Sequence, residues 1–272
     1  MKSLGLLAGN GRFPFLVAQE AKKAGRRVVA VAFKEEADPA LEQAVDSLHW
    51  VYVGQFTKWI HIFKEEGIKE VVMAGLVRHS NMYEDFKRFH PDMRALKLFW
   101  RLRDRKADTI LGAVADELAK EGLTLVPSLT HLKHCLAPSG AMTKRKPSAK
   151  EKADIQFGFH LAKEMAGLDV GQTVCVKNKA VIAIEAMEGT DMCIRRAGQI
   201  SRGNFVVVKV SKPKQDQRFD VPVIGLNTIE TFQEAGGGIL AVESGKTLIL
   251  DGGRLIEWAN GEHIGIVGVE RT

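Results

Sequence analysis

The chain has 272 residues, of which 45% are hydrophobic and 26% are charged, and its formal net charge is +6. This composition excludes a disordered chain, because it supplies enough apolar surface for a sizeable core, and the length favours two domains. The positive charge favours anionic partners such as phosphates, nucleic acid or an acidic membrane surface, without selecting among them.

The first half of the chain alternates between apolar strands and helices. Strands are predicted over residues 4–8, 27–33, 50–53, 70–74 and 123–127, and helices over residues 15–24, 57–66, 93–105 and 108–121. Such alternation is typical of a mostly parallel sheet with helices on both faces, so we predict a Rossmann-like α/β domain over residues 1–132. Ligands of such sheets bind beyond the carboxyl ends of the strands.

A stretch with prolines, glycine and a basic run then interrupts this rhythm, so we predict a linker over residues 133–150. An amphipathic helix over residues 151–167 follows. Further strands are predicted over residues 173–176, 180–186, 204–210, 238–242 and 247–251, with a helix over 227–235. We therefore predict a second, distinct α/β domain over residues 151–272.

Membrane spans and disulfides are not predicted. No stretch approaches the ~18 consecutive apolar residues that are needed to cross a bilayer, so any membrane contact is expected to be peripheral. The three cysteines, Cys135, Cys175 and Cys193, contain no CxxC pair, and buried thiols in a reducing cytoplasm are expected.

The first strand is followed by a glycine-rich turn within LLAGNGRFP. Backbone N–H groups at Gly9, Asn10 and Gly11, together with the start of the next helix, suit a phosphate or another polar ligand. The third glycine of a dinucleotide fingerprint is missing, and Phe33 and Lys34 stand where a ribose-binding carboxylate is expected, which argues against NAD. A structural turn without a ligand is the alternative.

A cluster of carboxylates and a hydroxyl lies in EAMEGTD, after a predicted strand. Glu185, Glu188, Thr190 and Asp191 are enough to bind a hard cation such as Mg²⁺ or to position a water. The alternative is a solvated turn in which Thr190 or Asp191 caps the next helix.

The segment KPKQDQRFDVPVIG combines both signs of charge. Lys212, Lys214 and Arg218 are cations, while Asp216 and Asp220 are carboxylates four residues apart. A carboxylate beside cations suits phosphoryl chemistry, as a metal ligand or as a base that activates water. The alternative is an exposed charged loop, because charge runs are usually solvated.

A basic amphipathic helix is predicted from MRALKLFWRLRDRK. Lys97, Arg101 and Arg103 lie beside Phe99 and Trp100, a pattern that fits either an anionic lipid surface or a helix that covers the sheet with a solvated basic face. The second interpretation is favoured, because most surface helices have this composition. The eight histidines show no metal-binding spacing, and we assign them no role.

The chain resembles the UDP-2,3-diacylglucosamine pyrophosphatase family of lipid A biosynthesis, LpxI type, in four motifs that occur in the same order: LAGNGRFP, RKADTILGAVADELAKEG, IEAMEGTD and KPKQDQRFDVPVIG. The resemblance covers nearly the whole chain. It implies hydrolysis of UDP-2,3-diacylglucosamine to 2,3-diacylglucosamine 1-phosphate and UMP, with water attacking the α-phosphorus and Mg²⁺ assisting. It also implies a substrate site at the interface of the two domains.

The resemblance also implies roles for residues. It places the family's key carboxylate on Asp220, in Asp-Val-Pro where the family has Asp-Leu-Pro. The candidates for substrate binding are Gly9, Asn10, Gly11, Gly75, Asp108, Lys144, Thr190, Lys212 and Arg218. The candidate metal ligands are Asp220, Glu185, Glu188 and Asp191, and the residues leave open which of them hold Mg²⁺. Leu76 stands where the family has asparagine after Gly75, so an asparagine contact is not expected there.

These observations predict a cytoplasmic hydrolase whose partners are the acylated UDP-sugar and, transiently, the inner face of the membrane. A homodimer is left open. One alternative is a non-catalytic module that binds a nucleotide-sugar or a lipid. A nucleic-acid-binding protein is a second alternative, but no recognised nucleic-acid module accompanies the charge, so no nucleic-acid partner is expected.

Overall fold

The computed structural model describes residues 2–77, 89–104, 106–213, 216, 218 and 221–270. The chain folds into two compact units, one of Met1–Leu132 with Asp216–Asp220 and one of Lys133–Gln215 with Val221–Thr272. Within the described ranges, every helix is too short or too polar to cross a bilayer.

Five parallel strands form the sheet of unit 1. They are β1 (Ser3–Ala8), β2 (Arg27–Phe33), β3 (Ser47–Val51), β4 (Glu70–Ala74) and β5 (Thr124–Leu125), in the order β3-β2-β1-β4-β5. β1 and β2 are buried along almost their whole length, as expected for central parallel strands that are covered on both faces. This strand order places the switch point of the topology between β1 and β4, where doubly wound sheets bind their ligands.

Among the residues that the structure describes, four helices cover this sheet: α1 (Phe13–Lys23), α2 (Phe56–Glu65), α3 (Met93–Arg101) and α4 (Ala107–Lys120). α2 buries Phe56, Trp59, Ile60 and Phe63, which recur at helical spacing and therefore share one face. Trp59 and Phe63 pack with Leu118 of α4 and with side chains of β2 and β4 in one core cluster. α2 is thus held mainly by one apolar stripe.

A single carboxylate, that of Asp92, accepts hydrogen bonds from the first turns of two of these helices. Its Oδ1 accepts a hydrogen bond from the backbone N–H of Ala95 at 2.8 Å and so caps α3, while its Oδ2 accepts from the backbone N–H of Thr57 in the first turn of α2 at 2.6 Å. The Asp92 N–H itself donates to the carbonyl of Gly54 at 3.0 Å. The start of α3 is therefore fixed to the start of α2.

The sheet of unit 2 has six strands and mixed directions. They are β6 (Gly140–Ala141), β7 (Thr173–Lys177), β8 (Ala180–Ile184), β9 (Val206–Lys209), β11 (Ile239–Glu243) and β13 (Gly265–Val269), in the order β6-β13-β11-β9-β7-β8. β9, β11 and β13 are parallel, whereas β6, β7 and β8 run antiparallel to their neighbours. β10 (Val223–Ile224) and β12 (Leu248–Ile249) form a separate parallel pair.

Helices cover both faces of this second sheet. α5 (Ala149–Gly167) packs Ile155 and Phe159 on one face, and its first turn has a capping box between Ser148 and Glu151. The other face is covered by α6 (Thr190–Ser201), α7 (Leu226–Glu234) and α8 (Gly252–Gly261), which share a core cluster with β9 and β11. The predicted fold class, a parallel α/β unit followed by a distinct α/β unit, is confirmed.

The linker predicted over residues 133–150 is corrected by the structure, because this region is built into unit 2. β6 pairs with β13, the backbone N–H of Ile266 donates to the Thr143 hydroxyl at 2.8 Å, and the Arg145 guanidinium donates to the carbonyl of Gly238. The prolines and the basic run of this region thus belong to a packed edge of the sheet.

The cysteines agree with the expectation in two of three cases. Cys175 and Cys193 are buried with their sulfurs 3.9 Å apart, and the Cys193 thiol together with burial raises the pKa of Cys175. Cys135 is partly exposed, because it lies in a short 3₁₀ helix, Lys133–Cys135, rather than under the sheet.

Candidate functional site

In unit 1 the turns after β1 and β4 are joined to each other. The Gly9 N–H donates to the Ala74 carbonyl at 2.9 Å, and Asn10 and Leu76 exchange backbone hydrogen bonds at 2.8 and 3.0 Å. The structure therefore brings together three of the predicted substrate-binding residues, Gly9, Asn10 and Gly75, at the switch point of the sheet.

The glycines of these turns are required for different reasons. A Cβ on Gly9 would lie 2.6 Å from the Leu76 carbonyl oxygen, and one on Gly75, whose φ is +92°, would lie 2.7 Å from the Asn10 oxygen. Gly11 has a φ of +95° but no protein atom within 4 Å of a Cβ position. Gly9 and Gly75 thus support the structural interpretation, while the backbone at Gly11 stays accessible next to α1, which begins without a side-chain cap.

Arg218 and Asp216 form a two-pronged ion pair. Arg218 Nε donates to Asp216 Oδ1 at 3.0 Å, and Nη2 donates to Oδ2 at 2.7 Å. This guanidinium lowers the pKa of Asp216, which makes that carboxylate a weaker base than an ordinary aspartate. Asp108, another predicted contact, lies in the first turn of α4. Asp220, the predicted catalytic residue, lies outside the described residues.

In unit 2 three polar side chains form a chain across the end of the sheet. Lys209 Nζ, on the last residue of β9, donates to the Thr190 hydroxyl at 2.7 Å, and that hydroxyl donates to Glu185 Oε1 at 2.8 Å. Glu185 Oε2 also accepts from the backbone N–H of Gln172 at 3.3 Å. Glu185 and Thr190 are therefore close together, but their polar atoms already serve each other.

The rest of the predicted carboxylate cluster does not converge. Glu188 Oε1 accepts from Arg196 at 2.6 Å, and Oε2 accepts from the Ala186 N–H at 3.0 Å. Burial opposes ionisation of Glu188, but these hydrogen bonds and one from its own backbone outweigh it, so its pKa is lowered. Asp191 is the second residue of α6, whose N-cap is Gly189 and not Thr190 or Asp191.

Three members of the predicted metal ligand set, Glu185, Glu188 and Asp191, form no metal-binding group by themselves. The fourth member, Asp220, lies outside the described residues. Within the portion of the chain that the structure describes, no three His, Cys, Asp or Glu side chains are grouped so that they could hold a metal ion.

The predicted basic contacts in unit 2 differ in availability. Lys212 Nζ lies 2.6 Å from Asp169 Oδ1, and both side chains are mostly buried, so this cation has an internal role. Lys144 is exposed and is placed by its backbone N–H, which donates to Asn260 Oδ1 at 2.7 Å. Lys144 is the more accessible of the two for a phosphate.

A buried ion pair that we did not predict lies at the carboxyl ends of β9 and β11. Lys163 Nζ of α5 donates to both oxygens of Glu243 at 3.1 and 2.9 Å and to the Ser211 carbonyl at 2.7 Å. The N–H and the hydroxyl of Ser211 each donate to Glu243 Oε2 at 2.8 Å. The segment that continues into Lys212 therefore leaves the sheet from a fixed point.

The sequence does contain a signal for these missed residues. Lys209 ends the strand VVVK and Glu243 ends the strand ILAVE, so each is a single charge at the carboxyl end of an otherwise buried run. Ligands and functional groups of parallel sheets lie at the carboxyl ends of the strands, so a charged residue at that position predicts a nearby polar partner.

Both halves of the chain match known family models. Residues 3–135 match the LpxI N-terminal domain, and residues 138–267 match the LpxI C-terminal domain. A curated relative is UDP-2,3-diacylglucosamine pyrophosphatase LpxI of Caulobacter vibrioides, which is 33% identical over 281 residues that cover 99% of this chain and 98% of the relative.

Solved structures resemble the chain only weakly. The biotin carboxylase domain of a thermophilic 2-oxoglutarate carboxylase aligns with 74% of this chain and 33% of its own, at 12% identity and a TM-score of 0.29. L-threonine dehydrogenase from Phytophthora infestans aligns with 55% of this chain and 41% of its own, at 14% identity and a TM-score of 0.29. Scores this low support no inference about this chain.

The joined turns give a prediction about stability. We expect Gly75→Ala to lower the free energy of unfolding by about 3 kcal/mol, because the positive φ and a clash with the Asn10 oxygen both oppose a side chain. Gly11→Ala is the matched control, with the same sign of φ and open space, and should lose about 1–2 kcal/mol. Urea denaturation followed by circular dichroism measures both, and equal losses would contradict the role of the contact.

The buried ion pair gives a second prediction. Glu243→Gln should destabilise the protein by about 3 kcal/mol, because it leaves the Lys163 ammonium buried beside a neutral partner. Glu65→Gln, which breaks the exposed pair of Glu65 with His61, should leave the melting temperature unchanged. Thermal unfolding of the two variants measures the contribution of the buried pair to stability. An unchanged melting temperature for Glu243→Gln would show that the pair contributes nothing to stability.

Proposed function

We propose that this chain, which belongs to the LpxI family, hydrolyses the pyrophosphate of UDP-2,3-diacylglucosamine. The observation that carries the proposal is the match along the whole chain: both LpxI domains are present, and a relative named for this activity aligns over 99% of the chain. The described residues add a parallel sheet with an accessible turn at Gly11 and one exposed basic candidate, Lys144.

The proposed reaction adds water across the pyrophosphate. The water oxygen forms a bond to the α-phosphorus, and the bond from that phosphorus to the bridging oxygen breaks. The products are UMP and 2,3-diacylglucosamine 1-phosphate, and the proton lost by the water passes to a base. Catalysis of such a transfer depends mainly on positioning and on cations that neutralise the phosphate oxygens.

We assign the base to Asp220 and not to Asp216. Asp216 already serves Arg218 through two hydrogen bonds, and its lowered pKa makes it a poor acceptor of a proton. Among the basic candidates, Lys144 is exposed, whereas Lys212 is engaged with Asp169 and Arg218 with Asp216. Lys144 is therefore our first candidate for a direct phosphate contact.

We also propose that the reaction uses Mg²⁺, on the family resemblance alone. The described carboxylates do not fit a metal site by themselves, since they form no group of three potential ligands. Asp220 is the remaining candidate ligand, and it lies outside the described residues.

The cellular location of the enzyme is also proposed from the family resemblance. A substrate with two acyl chains partitions into a bilayer, so we place the enzyme in the cytoplasm with transient contact to the inner face of the membrane. Assembly as a homodimer is a further proposal, and sedimentation velocity tests it directly.

The assignment of the base predicts a contrast between two variants. Asp220→Asn should lower kcat for UMP release by about 10²–10⁴-fold with little change in KM, as for the loss of a general base. Asp216→Asn should keep kcat within about tenfold, because it removes only a partner of Arg218. Both variants should keep the far-ultraviolet circular dichroism of the parent.

Two results would contradict this proposal. Normal UMP release by Asp220→Asn would remove that residue from the reaction. Tight binding of the UDP-sugar without UMP release by the parent chain, with or without Mg²⁺, would favour a non-catalytic nucleotide-sugar-binding module instead.

The metal proposal has its own test. Dialysis against EDTA should abolish UMP release, and added Mg²⁺ should restore it, since a divalent cation neutralises charge on the transferred phosphoryl group. Thermal unfolding is measured in parallel as a control for structural damage by the chelator. Full activity after chelation would exclude a required divalent metal.

A further inference from the structure

One face of α3 is exposed although it carries large apolar side chains. Met93 is 68% exposed and Trp100 is 93% exposed. Lys97 and Arg101 are also exposed, and the four positions are spaced so that they share one side of the helix. We call these four residues the α3 stripe. A solvated helix face is normally polar throughout, so the two apolar side chains need an explanation.

The core does not require these side chains. α3 buries Ala95 and Leu98 on its opposite side, and both belong to the core cluster of unit 1. This part of the helix meets the expectation that it covers the sheet. The residues of the α3 stripe are therefore not needed to pack the helix against the core.

The helix holds the stripe in a fixed position. Asp92 joins the beginning of α3 to α2. Arg94 lies 3.3 Å from Glu117 of α4 and donates at 2.5 Å to Glu121, the residue that follows α4. A stripe on an anchored helix can meet a flat surface with little ordering cost.

The charge of the stripe selects the partner. Neither Lys97 nor Arg101 has an ion-pair partner within the residues that the structure describes, and both line a cavity of about 530 Å³ between α3 and α4. The cavity also contains Asp116 and Glu117, but Glu117 is paired with Arg94 and Lys120. Two available cations beside exposed Trp and Met suit a phosphate headgroup above an apolar layer.

We propose that the α3 stripe docks the protein on an anionic phospholipid bilayer, with Trp100 and Met93 at the level of the headgroups and Lys97 and Arg101 on lipid phosphates. A self-complementary contact between two copies would instead bring two positive stripes together, which like charges oppose. This inference deepens the proposed function, because it names the surface through which the enzyme meets a diacylated substrate.

The test is sedimentation with vesicles that contain no UDP-sugar. The parent chain should bind vesicles of equal parts phosphatidylglycerol and phosphatidylcholine and should not bind phosphatidylcholine alone. The double variant Lys97→Gln/Arg101→Gln should lower the partition coefficient about 25-fold, since each basic residue contributes about fivefold at an anionic surface. Trp100→Ser should lower it about fivefold or more.

Matched controls change the same chemistry elsewhere. Lys150→Gln/Lys152→Gln removes two exposed charges from α5, and Ile200→Ser removes an exposed apolar side chain from α6. Each control variant should lower the partition coefficient less than the corresponding variant of the α3 stripe does. In the parent chain, the Trp100 fluorescence, taken as the difference from Trp100→Phe, should shift to shorter wavelength on binding.

Three outcomes would overturn the docking proposal. One is equal binding to both kinds of vesicle, and another is equal losses for the stripe and control variants. The third is a dimer in sedimentation velocity that Trp100→Ser dissociates, without any vesicle binding. Vesicle binding without UMP release would keep the docking proposal and contradict only the proposed hydrolysis.

Discussion

The buried ion pair between Lys163 and Glu243 fixes the backbone where the chain leaves β9. The buried carboxylate at the end of β11 is tolerated because Lys163 of α5 neutralises it and because Ser211 supplies two more hydrogen bonds. Val210 is held as well, through its N–H to the carbonyl of Gln172. The route out of β9 is therefore fixed up to Lys212, whose ammonium is paired with Asp169.

The sequence predicts the fold where a local apolar pattern is strong. β2 and β4 lie where their apolar runs place them, and α5 begins two residues before its predicted start. The last helix and strand, α8 and β13, were missed because α8 opens with two glycines and β13 contains two more, and both signals favour a loop. Burial of Leu255 and Ala259 overrides that local preference. β6 was missed because a two-residue strand is specified by its distant partner.

The sequence predicts which residue types occur in the candidate site, but it does not predict which side chains bond to each other. The carboxylates of EAMEGTD suggested a shared cation, yet Glu185 bonds Thr190 and Glu188 bonds Arg196. No spacing rule reveals such choices, because Lys209, which completes the first set, is distant in sequence. The same holds for α3, where the pattern allowed two interpretations: Ala95 and Leu98 pack into the core, and lipid contact by the other side of the helix is our proposal.

Few residues can replace Asp92, because it accepts hydrogen bonds from the first turns of both α2 and α3. Each of its two carboxylate oxygens serves a different helix, so a substitute must offer two acceptors at once. Asparagine has only one acceptor oxygen and could begin α2 or α3, but not both. The orientation of the proposed membrane-docking helix thus depends on a residue outside the α3 stripe, and a substitution of Asp92 would tilt the stripe without altering any residue in it.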